Sequence, residues 1–214
     1  ASLGGVPTTP ETSNVVSGKA ARMESQKVFG KFAAGNIYTG KFGKATLSPV
    51  GATLDWGLEF SSRPLALRGW YRYEPKPIDM TSSKYSHLSG QTDNCQIQIF
   101  LTDWASPFTI STGDERFVDT SEGNKSILAY GTILSNDNTT DNGGKNGYVQ
   151  FTIPLEYRSL KQPTYIVISA AASRYGDYFT GGLGSVLYLD ELELIYDPAQ
   201  LTAEELNIVL GRVR

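Results

Sequence analysis

Cysteine and histidine each occur once in this 214-residue chain, as Cys95 and His87. One cysteine excludes an intrachain disulfide and a four-cysteine zinc site, and one histidine excludes a metal centre built on two imidazoles. A histidine-based triad would depend on His87 alone, which lies in the polar stretch 83–90 and reads as a solvated loop residue. Cys95 alternates with apolar neighbours and reads as a buried thiol. Charge is sparse too: Asp, Glu, Lys and Arg make up 19% of the chain, with a net charge of −3. That leaves no basic footprint for nucleic acid or for an acidic membrane surface. No apolar run reaches the roughly 18 residues of a membrane-spanning helix, and no charged-then-apolar signal segment opens the chain.

What the chain does hold is tyrosine (12) and glycine (22), the balance of a turn-rich β protein that keeps rigid rings on its surfaces. β-forming stretches bounded by Gly, Pro, Asn and Ser clusters fall at 14–17, 20–25, 31–40, 52–60, 65–74, 94–104, 125–134, 147–157, 164–172 and 185–197. No βαβ spacing occurs, so these strands, about ten in all, predict an all-β antiparallel sandwich. The sequence divides into a flexible leader at 1–12, the sandwich at 13–198 and a helical tail at 199–214. In the tail, Thr202 and Glu205 form a capping box ahead of a stripe of Leu206, Val209 and Leu210.

Alternation assigns faces. Leu65, Leu67, Tyr71 and Tyr73 oppose Arg68, Trp70 and Arg72; Cys95, Ile97, Ile99 and Leu101 oppose Gln96, Gln98, Phe100 and Thr102. Val149, Phe151, Ile153 and Leu155 likewise oppose Tyr148, Gln150 and Thr152. The apolar sets must face the core, because a slip of one residue would expose all of them together.

The richest stretch is residues 173–197, which runs S-x-Y-G-D-x-F-x-G-G-x-G-S-x-L-x-L-D-E-x-E-L-I-Y-D. It resembles the closing motif of the putative carbohydrate metabolism domain family of gut bacterial surface proteins. Segments 63–73 (RPLALRGWYRY), 127–131 (ILAYG) and 151–157 (FTIPLEY) fit the same family pattern in the same order, so the resemblance runs from about residue 13 to residue 197. It implies a jelly-roll sandwich similar to carbohydrate-binding modules.

Two sets of residues suit a sugar. Arg68, Trp70, Arg72, Gln96, Gln98, Tyr148 and Gln150 combine a ring for C–H patches with planar groups for hydroxyls. The bland alternative is a solvent-side sheet surface whose tryptophan is covered by the N-terminal segment or a loop. In the second set, Arg174, Tyr175, Asp177 and Tyr178 lie on a glycine-rich loop, where two tyrosines form a cradle or else fill the end of the sandwich. No Lys-Ser/Thr pair follows the glycines, so this is no phosphate loop.

Modules similar to the family also hold structural Ca²⁺ through a last-strand acid, here Asp190, with an early-strand acid such as Glu24; otherwise Asp190 and Glu191 mark a bulge. The oxygen-rich stretch 137–144 lacks the glycine and glutamate placement of an EF-hand and reads as a polar hairpin loop. No cofactor is required. The reading is a non-catalytic carbohydrate-binding or glycan-capture module of a cell-surface or secreted bacterial protein, outer-membrane-associated, with a lipid anchor ahead of residue 1 left open. Its partners are a glycan or polysaccharide and other surface proteins of a glycan-uptake assembly. Two rivals stay open. One is an adhesion or scaffolding module; the other is a glycoside hydrolase using a carboxylate pair, for which Asp55, Glu59, Asp103, Asp114 and Asp177 are too scattered to single out two.

Overall fold

A computed structural model describes residues 6–28, 30–141 and 145–210. Residues 1–5 of the expected leader, 142–144 of the polar hairpin loop and 211–214 of the tail lie outside the described residues. In chain order the strands are β1 (Thr8–Glu11), β2 (Ala20–Glu24), β3 (Gln26–Val28), β4 (Lys31–Ala33), β5 (Asn36–Tyr38), β6 (Gly40–Leu47), β7 (Val50–Trp56) and β8 (Leu58–Glu59). They continue as β9 (Ala66–Glu74), β10 (Cys95–Thr102), β11 (Phe108–Ser111), β12 (Ile127–Ser135), β13 (Val149–Pro154), β14 (Glu156–Tyr157), β15 (Tyr165–Ala171) and β16 (Val186–Ile195), and helix α1 spans Ala203–Leu210.

Two antiparallel sheets form the sandwich. The first runs β1-β2-β16-β9-β13; the second runs β14-β12-β10-β15-β5, with β8 also beside β15. The predicted alternation holds. Leu67, Tyr71 and Tyr73 from β9 meet Cys95, Ile97, Ile99 and Leu101 from β10 in one buried core. The closing strand β16 sits between β2 and β9, as a strand with apolar residues and no free edge should.

A third sheet, β11-β7-β6, lies over part of the outer surface of β10. It turns the outward-facing Phe100 into a second core residue, with the rings of Trp104, Trp56 and Tyr130 centred 6.1, 6.4 and 6.5 Å away. Full burial of one such ring contributes about 1.5–3 kcal/mol. Two strands of this layer escape the hydrophobic pattern: β6 carries Lys41, Gly43 and Lys44 on an exposed edge, and β11 is four residues long.

The expected leader is corrected in part, since Thr8–Glu11 pairs with β2 as an edge strand. The stretch Asn14 to Ser17, expected as a strand, is irregular and crosses the outer surface of the first sheet. The capping box is present: Thr202 N–H donates to Glu205 at 2.8 Å and Glu205 N–H donates to Thr202 Oγ1 at 3.2 Å. Val209 is buried in the main core, so the helix docks on the sandwich.

Candidate functional site

A hollow lies on the outer surface of the six-stranded sheet. On β10 the side chains alternate, so Gln96 and Gln98 point away from the core that holds Ile97. Gln98 is placed by a 2.9 Å hydrogen bond from its Nε2 to Ser169 Oγ on β15. The contacts to its Oε1, from Gln96 at 3.4 Å and from the Tyr130 hydroxyl at 3.5 Å, are long and leave acceptor capacity. Trp56 and Tyr130, packed on Phe100, wall the hollow on one side, and Tyr85, Phe117, Arg174, Tyr175, Asp177 and Tyr178 on the other.

Local chemistry builds the second wall. The loop after β15 forms a single turn at Gly176–Tyr178, and Gly176 sits there because a Cβ would fall 2.4 Å from the Cβ of Ala34. Tyr85, on the turn Ser83–Leu88, brings its ring to 4.6 Å from Tyr175 and 5.0 Å from Tyr178, while Phe117 lies 5.0 Å from Tyr178. Lys84 Nζ stands 4.4 Å above the Tyr178 ring, and the Arg174 guanidinium 5.2 Å above Tyr175. The loop tyrosines thus pack on Tyr85 and Phe117, stay part-buried outside the two cores, and line the hollow.

Buried Asp93 ties this wall down. Its Oδ2 accepts from Ser173 Oγ at 2.5 Å, Gly182 N–H at 2.7 Å and Ser185 Oγ at 3.0 Å, and its Oδ1 accepts from Asn94 N–H at 2.8 Å. Burial pushes its carboxyl above the ordinary carboxylate range, and these hydrogen bonds pull it part of the way back. Asp177 differs. No described side chain hydrogen-bonds it, and desolvation within the loop pushes its carboxyl up to about 6.

The structure splits the predicted platform. Gln96 and Gln98 join the loop residues Arg174, Tyr175, Asp177 and Tyr178, whereas Arg68, Trp70, Arg72, Tyr148 and Gln150 lie on the other sheet. There the chain's own ends engage two of them, and a third packs on the neighbouring strand. Tyr148 is buried and donates to Asn14 O at 2.9 Å. Arg68 donates to Gln200 O at 2.6 Å, and Arg72 stacks 5.0 Å above the ring of Tyr188. Trp70 and Gln150 line an open depression with Arg68, Val16, Ser17 and Glu191–Glu193.

Asp190 and Glu24 are not brought together. Glu24 pairs with Val186, so Asp190 lies four residues farther along β16, about 13 Å at the strand rise. Asp190 accepts from the N–H groups of Val16 at 2.7 Å, Ser17 at 3.2 Å and Glu191 at 2.9 Å, while Glu24 is held by Arg22 at 2.9 Å. A carboxylate whose lone pairs already meet backbone donors, and one paired to a guanidinium, do not fit a shared Ca²⁺. The bulge reading describes this place: the register slips between Asp190 and Glu193, and Glu191 takes φ 49°.

Trp56, Tyr85, Phe117 and Tyr130 are the aromatic lining residues that sequence reasoning missed. Trp56 and Tyr130 stood in legible strands, but only strand order places them beside Gln98. His87 is exposed and Cys95 buried, as expected.

Two solved structures share this fold. One, described as a putative glycoside hydrolase from Bacteroides thetaiotaomicron, is 24% identical with a TM-score of 0.65 over 90% of this chain, which spans 57% of the length of that one. The other, described as a putative glycoside hydrolase from Bacteroides vulgatus, is 21% identical with a TM-score of 0.64, covering 89% of this chain and 78% of its own. No curated protein matches the chain. The family model described as "Putative carbohydrate metabolism domain" matches residues 3–195, the region of the sandwich and its closing strand, and the chain belongs to that family.

Proposed function

We propose that this chain is a non-catalytic carbohydrate-binding, glycan-capture module of a cell-surface or secreted bacterial protein, and that it holds sugar in the hollow on the six-stranded sheet. The observation that carries this reading is the content of the hollow: two amides, Gln96 and Gln98, and one carboxylate between aromatic walls. Sugars offer C–H faces to rings and hydroxyls to amides and carboxylates. Glycoside hydrolysis uses two carboxylates roughly 5–10 Å apart, and among the described residues lining the hollow Asp177 is the sole carboxylate. A patch for protein adhesion would be flatter and more apolar.

A glycan array probed with the wild type, Gln96→Ala and Trp70→Ala tests the proposal. Gln96 makes only 3.4 Å contacts, so its truncation leaves the fold intact. Binding is expected in the wild type and in Trp70→Ala, with loss in Gln96→Ala. Silence of the wild type on every glycan removes the reading. Binding lost in Trp70→Ala alone moves the site to the opposite sheet.

A further inference from the structure

The sugar hollow does not end at Asp177. A second concavity of about 440 Å³ opens from it between the β3–β4 hairpin and the β6–β7 hairpin, and its lining is mainly apolar: Phe32, Tyr38, Phe42, Leu47, Leu54 and Phe179. A narrower hollow joins the two. It shares Trp56, Gln96, Gln98 and Arg174 with the polar side, and Ala34, Asn36, Leu54 and Gly176 with the apolar side. Asp177 borders all three. The apolar concavity is the size of a small-molecule pocket. Two of its rings and chains have no cover among the described residues, Phe42 being 63% and Leu47 74% exposed.

A free polysaccharide leaves such a groove unused, because hydroxyls on every ring would be desolvated against carbon without partners. An occupant that reaches both ends must be polar at one and apolar at the other. We propose that the ligand of this cleft is a glycoside with an apolar aglycone, its sugar among Gln96, Gln98 and Asp177 and its alkyl chain or aryl ring along Leu54, Phe42 and Leu47. The inference rests on the sugar reading of the hollow and adds the class of glycan.

Calorimetric titration of the full chain with matched methyl, octyl and 4-nitrophenyl glycosides of glucose, galactose, mannose and xylose, below their micelle concentrations, tests it. For a sugar whose methyl glycoside binds, the octyl or nitrophenyl partner is expected to bind at least tenfold tighter, since each methylene taken out of water is worth about fourfold. A gain confined to octyl assigns the groove to alkyl chains, and one confined to nitrophenyl assigns it to aryl rings. Phe42→Asp and Leu47→Asp alter exposed side chains of a surface hairpin, so both fold. They should abolish the gain and leave methyl glycoside binding unchanged.

Equal affinity for methyl and octyl glycosides overturns the inference and leaves the sugar reading standing. So does a gain that survives both aspartate variants. Octyl binding that ignores the sugar and is unchanged in Gln96→Ala overturns both readings together. Absence of binding by all these compounds overturns the inference as well, while the glycan array still decides the sugar reading on its own.

Discussion

Replacing Asp93 by alanine should loosen the wall that carries Tyr85, Tyr175 and Tyr178, and the size of the effect can be worked from its four hydrogen bonds. Two donors, Gly182 N–H and Asn94 N–H, are backbone groups that cannot turn away. The other two are hydroxyls with partners nearby: Ser173 Oγ lies 2.6 Å from Ser25 Oγ, and Ser185 Oγ accepts from Lys76 N–H at 3.0 Å. A buried donor left unsatisfied costs about 1–3 kcal/mol, and Asn94 is half-buried, where water can substitute, so the two backbone donors set the scale. The burial cost of the charge, seen in its raised pKa, offsets part of the bonds' contribution. The net expectation is a loss of about 2 kcal/mol, or about 4–8 °C in Tm for a domain of this length. Differential scanning calorimetry at pH 7 measures it. A fall of less than 2 °C would show that the Asp93 hydrogen bonds do not hold the wall. The pH dependence has a definite sign. With the folded-state value above the ordinary 3.8, the folded chain keeps a proton that the unfolded chain has released. The associated stability is full below 3.8 and is lost as pH rises through the folded-state value. Asp93→Asn should flatten that slope.

Sugar binding that uses the Asp177 carboxylate as an acceptor should weaken as pH falls below about 6, where the group takes up a proton, and titrations of Asp177→Asn should show no such step. Gly176→Ala sets a Cβ 2.4 Å from that of Ala34, so a loss of about 1–3 kcal/mol in denaturant unfolding is expected, together with weaker glycan binding from a shifted loop. The Cys95 thiol, pushed by burial up to about 12, should stay unmodified by a thiol reagent at pH 8 until the chain unfolds; fast labelling of the native protein contradicts its place in the core. Thr202→Ala removes one half of the capping box and should cost about 1 kcal/mol, read as faster amide exchange in α1.

The amino-acid sequence by itself determined the all-β class, the inner and outer faces of β9, β10 and β13, the helix start at Thr202 and the family. Each rests on a local signal: a period of two, a capping pair, or a contiguous motif that needs no distant partner. The bulge at Glu191 was also legible, as a break in alternation. Tertiary structure alone decided the rest. An outward-facing residue has the same pattern on either sheet, so nothing in the strands told Gln96 and Gln98 apart from Trp70 and Arg68. Only sheet order put the glutamines beside the 173–185 loop and Arg72 against Tyr188, and only the path of the chain ends took Tyr148 and Arg68 into internal contacts. Asp93 stayed invisible for the same reason, since its partners Ser173, Gly182 and Ser185 lie 80 to 92 residues away and meet it only when β10, β15 and β16 are in place.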